Sequence, residues 1–486
     1  VLLQSKLFWV GILYFSEGFP LGVFYDVFPV HFRQQGVNLA GIGLLSLLGL
    51  TWTLKFLWAP AVDHYRHHRR WMFGADLSMG VILLLFALQA GYGPWIWIAI
   101  GAFTLLSATN DIAIDGYTIE MLDKHELGVA NGLRIAFYRV GMLAAGFILI
   151  CTDYLGWAGA YAVGAGIFLL AGLACLNAPR EQNTQPAGNV TLRNELKGLL
   201  THPAAFTGVI LFLLGVVWLA DRTTAWSQRI DHFWWYAFAV ATLLAAYGAI
   251  RARHERHAGA PRIPLAEGPM FGALLEMLRR PHIVPVVLFI LVFKLGDSAM
   301  GFMIKPFWVD SGFSATQIGL VSVNIGLGLS IAGGIAGGWF TDRAGIFRGL
   351  WVLGLLQAFS NLGYAWAASV IPTTNGAPVA ASHELLMYAA SAVESFTGGL
   401  GTAAFLAFLM AIVDKRRSAT EYALLSSVFA LSRSVSGWAG GYGAESLGYA
   451  DYFLLTFFLS FPAYLLLPWV KKMLLYVERR ENPEPA

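Results

Sequence analysis

Asn110-Asp111-Ile112-Ala113-Ile114-Asp115-Gly116-Tyr117-Thr118-Ile119-Glu120 closes an apolar run that begins near Trp95. Asp111 and Asp115 are four residues apart, so a helix carries both on one face. In a bilayer each carboxylate is penalised by about 2.5–3.5 kcal/mol on the insertion scale. Nothing in a lone apolar helix offsets that. Cationic partners, water or protons must do so, and the stretch reads as a membrane-spanning helix turned toward a polar cavity.

Composition extends this reading to the whole chain. Hydrophobic residues make up 57% and charged residues 13%, against about a quarter charged in soluble domains. The net charge is only +3, and no nucleic-acid partner is expected. The first apolar run, Leu7 to about Phe32, is too long for the core of a cleavable signal peptide. Both cysteines, Cys151 and Cys175, fall in expected spans and are given a packing role.

Runs long enough to cross a bilayer lie near 7–32, 40–62, 72–92, 95–118, 128–152 and 157–178, then 203–221 and 232–251, then 283–309, 317–340, 346–370, 382–412, 420–445 and 448–470. The fold class expected is an all-α polytopic membrane protein of fourteen transmembrane helices, with two six-helix bundles and two extra helices inserted between them. The domains are then 1–180, a linker of 181–282 holding the inserted pair and a basic loop, 283–471, and a tail of 472–486. With the N-terminus in the cytoplasm, almost every loop cation falls inside, from Arg66, Arg69 and Arg70 to Lys415, Arg416 and Arg417. Only Arg33, Arg222 and Arg229 fall outside, as the positive-inside rule requires. Both termini are therefore expected in the cytoplasm. The inserted pair keeps its charges in its connecting loop and is given no transport chemistry.

A weak repeat relates the two six-span units. Trp58-Ala59-Pro60-Ala61-Val62-Asp63 ends the second span of one, and Gly337-Gly338-Trp339-Phe340-Thr341-Asp342-Arg343 ends the second span of the other. Each is followed by a basic turn. Two six-span halves with an acidic-basic loop after the second helix resemble the major facilitator superfamily, in which that loop latches helices on the cytoplasmic side. Asp342-Arg343 matches the pattern; Asp63-His64 has histidine where arginine is usual.

Inside the spans lie the cations Lys55, Arg134, Arg139, Lys294, Lys305 and Arg433 and the acids Glu17, Asp26, Asp111, Asp115, Asp297 and Glu394. Unpaired, they would be penalised by on the order of 30 kcal/mol, beyond typical stability. Internal pairing and a hydrated cavity are the expected compensation. Lys294, Asp297, Gly301 and Lys305 form one helical stripe, and Tyr14, Glu17, Leu21 and Tyr25 repeat its offsets. Such stripes suit a site near the midplane between two halves. Arg139 and Asp26 read most readily as packing ion pairs. Trp52, Trp58, Tyr14, Tyr25 and Tyr138 set flat faces beside the charges, which suits a ligand with sugar rings.

Other chemistry finds little support. His64, His67 and His68 lie in a basic turn without a metal-ligand set. No Walker A pattern occurs, and no Ser/His/Asp set stands at helical spacing. Neither ATP-driven transport nor enzymatic activity is expected.

Leu54-Lys55-Phe56-Leu57-Trp58-Ala59-Pro60, Asp111-Ile112-Ala113-Ile114-Asp115, Tyr138-Arg139-Val140-Gly141-Met142-Leu143, Phe293-Lys294-Leu295-Gly296-Asp297, Gln357-Ala358-Phe359-Ser360-Asn361-Leu362-Gly363-Tyr364 and Ser418-Ala419-Thr420-Glu421-Tyr422-Ala423-Leu424-Leu425-Ser426 resemble the AmpG muropeptide permease family. The first of these is shared with related siderophore and acetyl-CoA permeases. The resemblance implies proton-coupled import of N-acetylglucosaminyl-anhydro-N-acetylmuramyl peptides across the bacterial inner membrane by alternating access, in peptidoglycan recycling. It implies a monomer in the lipid bilayer with no cofactor beyond the proton gradient. Two features depart from the family: the extra spans lie between the halves, and Glu17 stands where a small residue is usual. The residues expected to bind an anionic glycopeptide are Tyr14, Glu17, Tyr25, Trp52, Lys55, Asn110, Asp111, Arg134, Tyr138, Lys294, Asp297, Lys305, Asn324, Asn361, Glu394 and Arg433. Lys55, Arg134, Lys294 and Lys305 would hold its carboxylates. Asp111, Asp115 and Glu17 are the candidate proton carriers, because a carboxyl's proton affinity answers to burial and to nearby cations. The alternatives are a siderophore or acetyl-CoA permease, or a transporter-like fold acting in assembly or signalling.

Overall fold

In lipid a backbone must satisfy its own N–H and C=O groups, which helices do. The computed structural model describes residues 6–55, 58, 62, 67–88, 95–121, 127–180, 231–257, 279–373, 379–413 and 418–481, with isolated positions between 207 and 218 and at 277. Every regular element among them is helical. The first set is α1 (Lys6–Gln34), α2 (Leu39–Leu54), α3 (His68–Leu88), α4 (Trp95–Met121), α5 (127–155) and α6 (157–176). Gly156, at φ 67° and ψ 176°, breaks the run between α5 and α6, a conformation that costs a residue without a Cβ little. Next come α7 (Phe233–His257), α8 (Ile283–Asp310), α9 (Ala315–Ala344), α10 (Ile346–Val370), α11 (Ala381–Ala411), α12 (Ser418–Leu447) and α13 (Tyr449–Leu459, running on as Pro462–Glu481).

The chain divides into two units. One comprises Val1–Pro186, His282–Val413 and Tyr422–Ala486, and so contains both six-helix sets; the other comprises Ala187–Pro281 with Asp414–Glu421 and contains α7. Within the second, Phe233–Ile250 is long and apolar enough to cross a bilayer. The span expected at 203–221 lies largely outside the described residues, as does Asp63-His64. At the matching point of the second set, Arg343 lies 4.4 Å over the Trp339 ring.

Three irregularities place the polar residues. Pro20 and Pro29 each withhold an N–H from α1, and between them the helix widens to a π segment, Val23–Val27. α9 starts on a capping box of Ser314 and Gln317 and then takes π geometry over Ile318–Ile325. α8 is interrupted at Lys294, where φ is −101° and ψ 14°. The continuous helix expected over 283–309 is therefore two segments hinged at a charged residue.

Small residues let backbones touch. A Cβ on Gly18 would lie 1.9 Å from the Tyr138 carbonyl oxygen, and one on Gly141 2.4 Å from that of Phe15, so α1 and α5 are in backbone contact. The two six-helix sets meet at the Gln34 end of α1. There Arg33 grips Asp310 through two 2.5 Å contacts, and the Tyr449 hydroxyl donates to the same carboxylate at 2.6 Å. The Ala40 N–H donates to Glu445 at 3.0 Å, Ser46 to the Ser434 carbonyl at 2.6 Å, and Thr316 to the Ile150 carbonyl at 3.1 Å.

Candidate functional site

Between the two sets lies a cavity of about 680 Å³. Its wall includes Glu17, Tyr25, Arg134, Tyr138, Lys294, Asp297, Lys305, Glu394 and Arg433 from the expected set. All four residues of the Lys294-Asp297-Gly301-Lys305 stripe face it, as do Glu17, Leu21 and Tyr25 of the stripe on α1.

The wall of the first set holds a branched cluster. Arg134 pairs with Asp115 at 3.1 Å, the Tyr14 hydroxyl donates to Asp115 at 2.9 Å, and the Arg134 guanidinium lies 4.8 Å from the Tyr14 ring centre. Lys55 pairs with Asp111 at 3.6 Å. Glu17 sits within the electrostatic reach of Asp115, Asp111, Arg134 and Lys55. Its Oε2 is buried without a hydrogen-bond partner among the described residues. The side chains of Arg134, Lys55 and Asp115 are 42%, 33% and 30% exposed, so this cluster is partly open to water.

The wall of the second set is drier. Lys294, at the break in α8, donates to Asp297 at 3.2 Å, to Gln357 at 2.9 Å and to the Gly398 carbonyl at 3.4 Å. That uses all three of its N–H groups. Lys305 donates to Ser322 at 2.6 Å and pairs with Asp26 at 3.4 Å. Glu394 accepts from Ser395 at 3.3 Å. Arg433 lies 3.9 Å from the Tyr25 ring centre, a cation–π contact from α12 to α1.

Several expected residues point elsewhere. Asn110 is fully buried and donates to Asp76 and to Ser16, both at 3.0 Å. It lies one position, about 100° of helix rotation, from Asp111 and so faces α1 and α3. Trp52 packs on Phe24 at 5.2 Å and on Tyr25 at 6.3 Å, behind the tyrosine that lines the cavity. Asn361 donates to Thr456 at 3.3 Å and joins α10 to α13. Asn324 fills the space beside Gly146, where α9 crosses α5. These four are not among the residues lining the cavity, and each makes packing contacts where it sits. Lys55 and Asp111 neutralise each other behind Glu17 and are off the wall, and Tyr14 acts through Asp115 and Arg134.

Sequence reasoning overlooked Asp76. It is wholly buried in α3, accepts from Ser16 at 2.8 Å as well as from Asn110, and has no cation partner among the described residues. An acid in the otherwise apolar run 72–92 was the available signal. Asp26, read as a packing pair, turns out to join the two sets across the cavity.

Comparison with known proteins agrees with this architecture. Residues 10–233 match the family model described as Major Facilitator Superfamily. The anhydromuropeptide permease of Escherichia coli strain K12 is 26% identical over 481 residues, covering 97% of this chain and 81% of the relative. An uncharacterised protein of Haemophilus influenzae is 28% identical over 471 residues, covering 94% of this chain and 92% of its own. Among solved structures, a bacterial homologue of the human lysosomal transporter Spinster, in an inward-facing and unoccupied conformation, superposes with a TM-score of 0.65 at 12% identity. It covers 98% of both chains, and at that identity the likeness is one of fold.

Proposed function

Because the chain belongs to the AmpG family of the major facilitator superfamily, we propose that it is a proton-coupled importer of cell-wall muropeptides, carrying them from periplasm to cytoplasm by alternating access. The observation that carries this reading is a cavity, bordered by α1, α5, α8, α9, α11 and α12, into which cations and carboxylates of both six-helix sets converge. Two-half transporters bind their cargo at that position. A muropeptide offers carboxylates and sugar faces. Lys294, Lys305 and Arg134 answer the first, and Tyr25 and Tyr138 the second. Lys55 is reassigned to balancing Asp111.

Charge balance supports the assignment of the proton. Glu17 with its neighbours Asp111 and Asp115 makes three carboxylates beside two cations, Lys55 and Arg134. A surplus charge in a weakly polar interior is relieved by a bound proton. Asp111 and Asp115 have cation partners, and Glu17 keeps an oxygen without one. Glu17 is thus the foremost of the three carriers. With both termini cytoplasmic, the Gln34 end that Arg33, Asp310 and Tyr449 close is periplasmic, and the cavity belongs to an inward-facing state.

The test is uptake of labelled N-acetylglucosaminyl-anhydro-N-acetylmuramyl tripeptide into membrane vesicles with and without an imposed pH gradient. Accumulation that requires the gradient is expected. Uptake that ignores the gradient would remove the coupling, and no uptake beside transport of a siderophore or acetyl-CoA would move the chain to those permeases.

A further inference from the structure

We infer that Asp26 is a built-in substitute for the ligand's carboxylate, held on Lys305 until cargo displaces it, and that the displacement cuts one of the two ion pairs joining α1 to α8 among the described residues, the other being Arg33 with Asp310. This rests on the reading that the cargo is an anionic glycopeptide. Lys305 sits between the two π segments found among the described residues. Asp26, on Val23–Val27 of α1, approaches its ammonium at 3.4 Å, and Ser322, on Ile318–Ile325 of α9, accepts from it at 2.6 Å. Widened turns of this kind recur where a helix must present side chains to a ligand.

The two lysines of α8 differ in a way that singles out Lys305. Lys294 has spent its three donors on oxygens of the second set alone. Lys305 has two partners among the described residues, so one N–H is left for an incoming oxygen. Its resident carboxylate comes from the opposite set. Asp26 and Lys305 both border the cavity, and a side recess of about 240 Å³ runs on past Asp26, Ser322 and Glu394. A ligand carboxylate entering there meets the free N–H first. It then competes with Asp26 for the same cation, with no covalent change on either side.

Two consequences are linked. Asp26 weakens ligand binding by holding the site, and by reciprocity the ligand weakens the tie between α1 and α8 by the same factor. Pro306 follows Lys305 and has no N–H to give the Phe302 carbonyl one turn back, so α8 bends most readily where the tie is cut.

The experiment uses the purified full-length protein in lipid nanodiscs. Asp26→Asn should bind the tripeptide muropeptide roughly five- to tenfold more tightly than the wild type, the lower range for linked sites. A spin-label pair at Gln35 and Ser369, exposed on opposite sets, reports the Gln34 end on a background lacking Cys151 and Cys175. In Asp26→Asn without ligand, its distance distribution should shift to longer values. The charge-balanced variant Asp26→Asn/Lys305→Gln guards against misfolding, and it should bind more weakly than the wild type. Unchanged or weaker binding by Asp26→Asn, or an unchanged label distance, overturns the inference. If the wild type fails to bind the muropeptide, the transport reading fails by itself. The label pair then decides alone: a longer distance keeps the tie, and an unchanged one removes it.

Discussion

In the first six-helix set Glu17, Asp111 and Asp115 share two cations, Arg134 and Lys55, whose side chains are 42% and 33% exposed. Across the cavity, the side chains of Lys294 and Lys305 are 4% and 10% exposed, and each holds its own oxygens. One wall has a movable deficit of positive charge, which a proton can fill. The other has fixed cations wrapped in replaceable acceptors, which an anion can occupy. On the proposed reading, the same residue types divide two tasks by the ratio of acid to base and by access to water. Coupling requires the two walls to communicate, and the residues that reach across are Asp26 and Arg433.

The sharpest way to break this division is to remove a fixed cation. Lys294→Ala leaves Asp297, Gln357 and the Gly398 carbonyl without their donor. Losing a buried, hydrogen-bonded charge costs about 2–5 kcal/mol, so muropeptide binding should weaken by about thirtyfold or more and uptake should fall to background. Isothermal titration beside vesicle uptake checks it. Wild-type affinity in that variant would take the ligand away from the second wall.

Glu17→Gln addresses the first wall. The amide keeps the shape and cannot release a proton, so accumulation driven by a pH gradient should be lost. Counterflow of labelled against unlabelled muropeptide, which needs no net proton movement, should stay within about threefold of the wild type, since the lost carboxylate oxygen has no partner to strand. Gradient-driven accumulation that survives in Glu17→Gln, and is lost in Asp115→Asn, would move the proton to the Arg134 pair.

Asp76 belongs to neither wall. Ser16 and Asn110 donate to it inside the first set. Asp76→Ala strands both donors and should cost about 1–3 kcal/mol of stability, read as a lower melting temperature in detergent. Asp76→Asn retains an acceptor and should lower it less. If Asp76→Asn abolished coupling while melting normally, the proton would sit behind the wall rather than on it.

The division of labour was only half legible in the sequence. The α8 stripe was, because offsets of three, seven and eleven from Lys294 fix a face whatever the helix packs against. So were the pairing of cations with acids and the two sets of six spans, since hydropathy and loop charge determine both. Which face turns inward was not. Asn110 stands next to Asp111 in the chain, yet helix rotation carries it to Asp76. The π segments holding Asp26 and Ser322 leave no periodic trace, and the break at Lys294 has no proline at that position. The pairing of Arg33 with Asp310 joins residues 277 positions apart, which a single sequence does not reveal.

The smallest effect is expected where the same chemical change touches only one wall. Asp297 lies three residues from Lys294 on the same helix, and its side chain is 27% exposed. Asp297→Asn keeps an oxygen that accepts from the lysine, while Gln357 and the Gly398 carbonyl hold the ammonium in place. A half-wet pair of this spacing is worth about 0.2–1 kcal/mol, so binding should tighten by no more than about fivefold. The distance between labels at Gln35 and Ser369 should not move, because no contact between the two sets is cut. Asp26→Asn makes an identical change of charge on α1, opposite Lys305 of α8, and there both readouts should respond. If Asp297→Asn lengthened the label distance as much as Asp26→Asn, the separation of the sets would follow net charge in the cavity rather than the ion pair of Asp26 with Lys305.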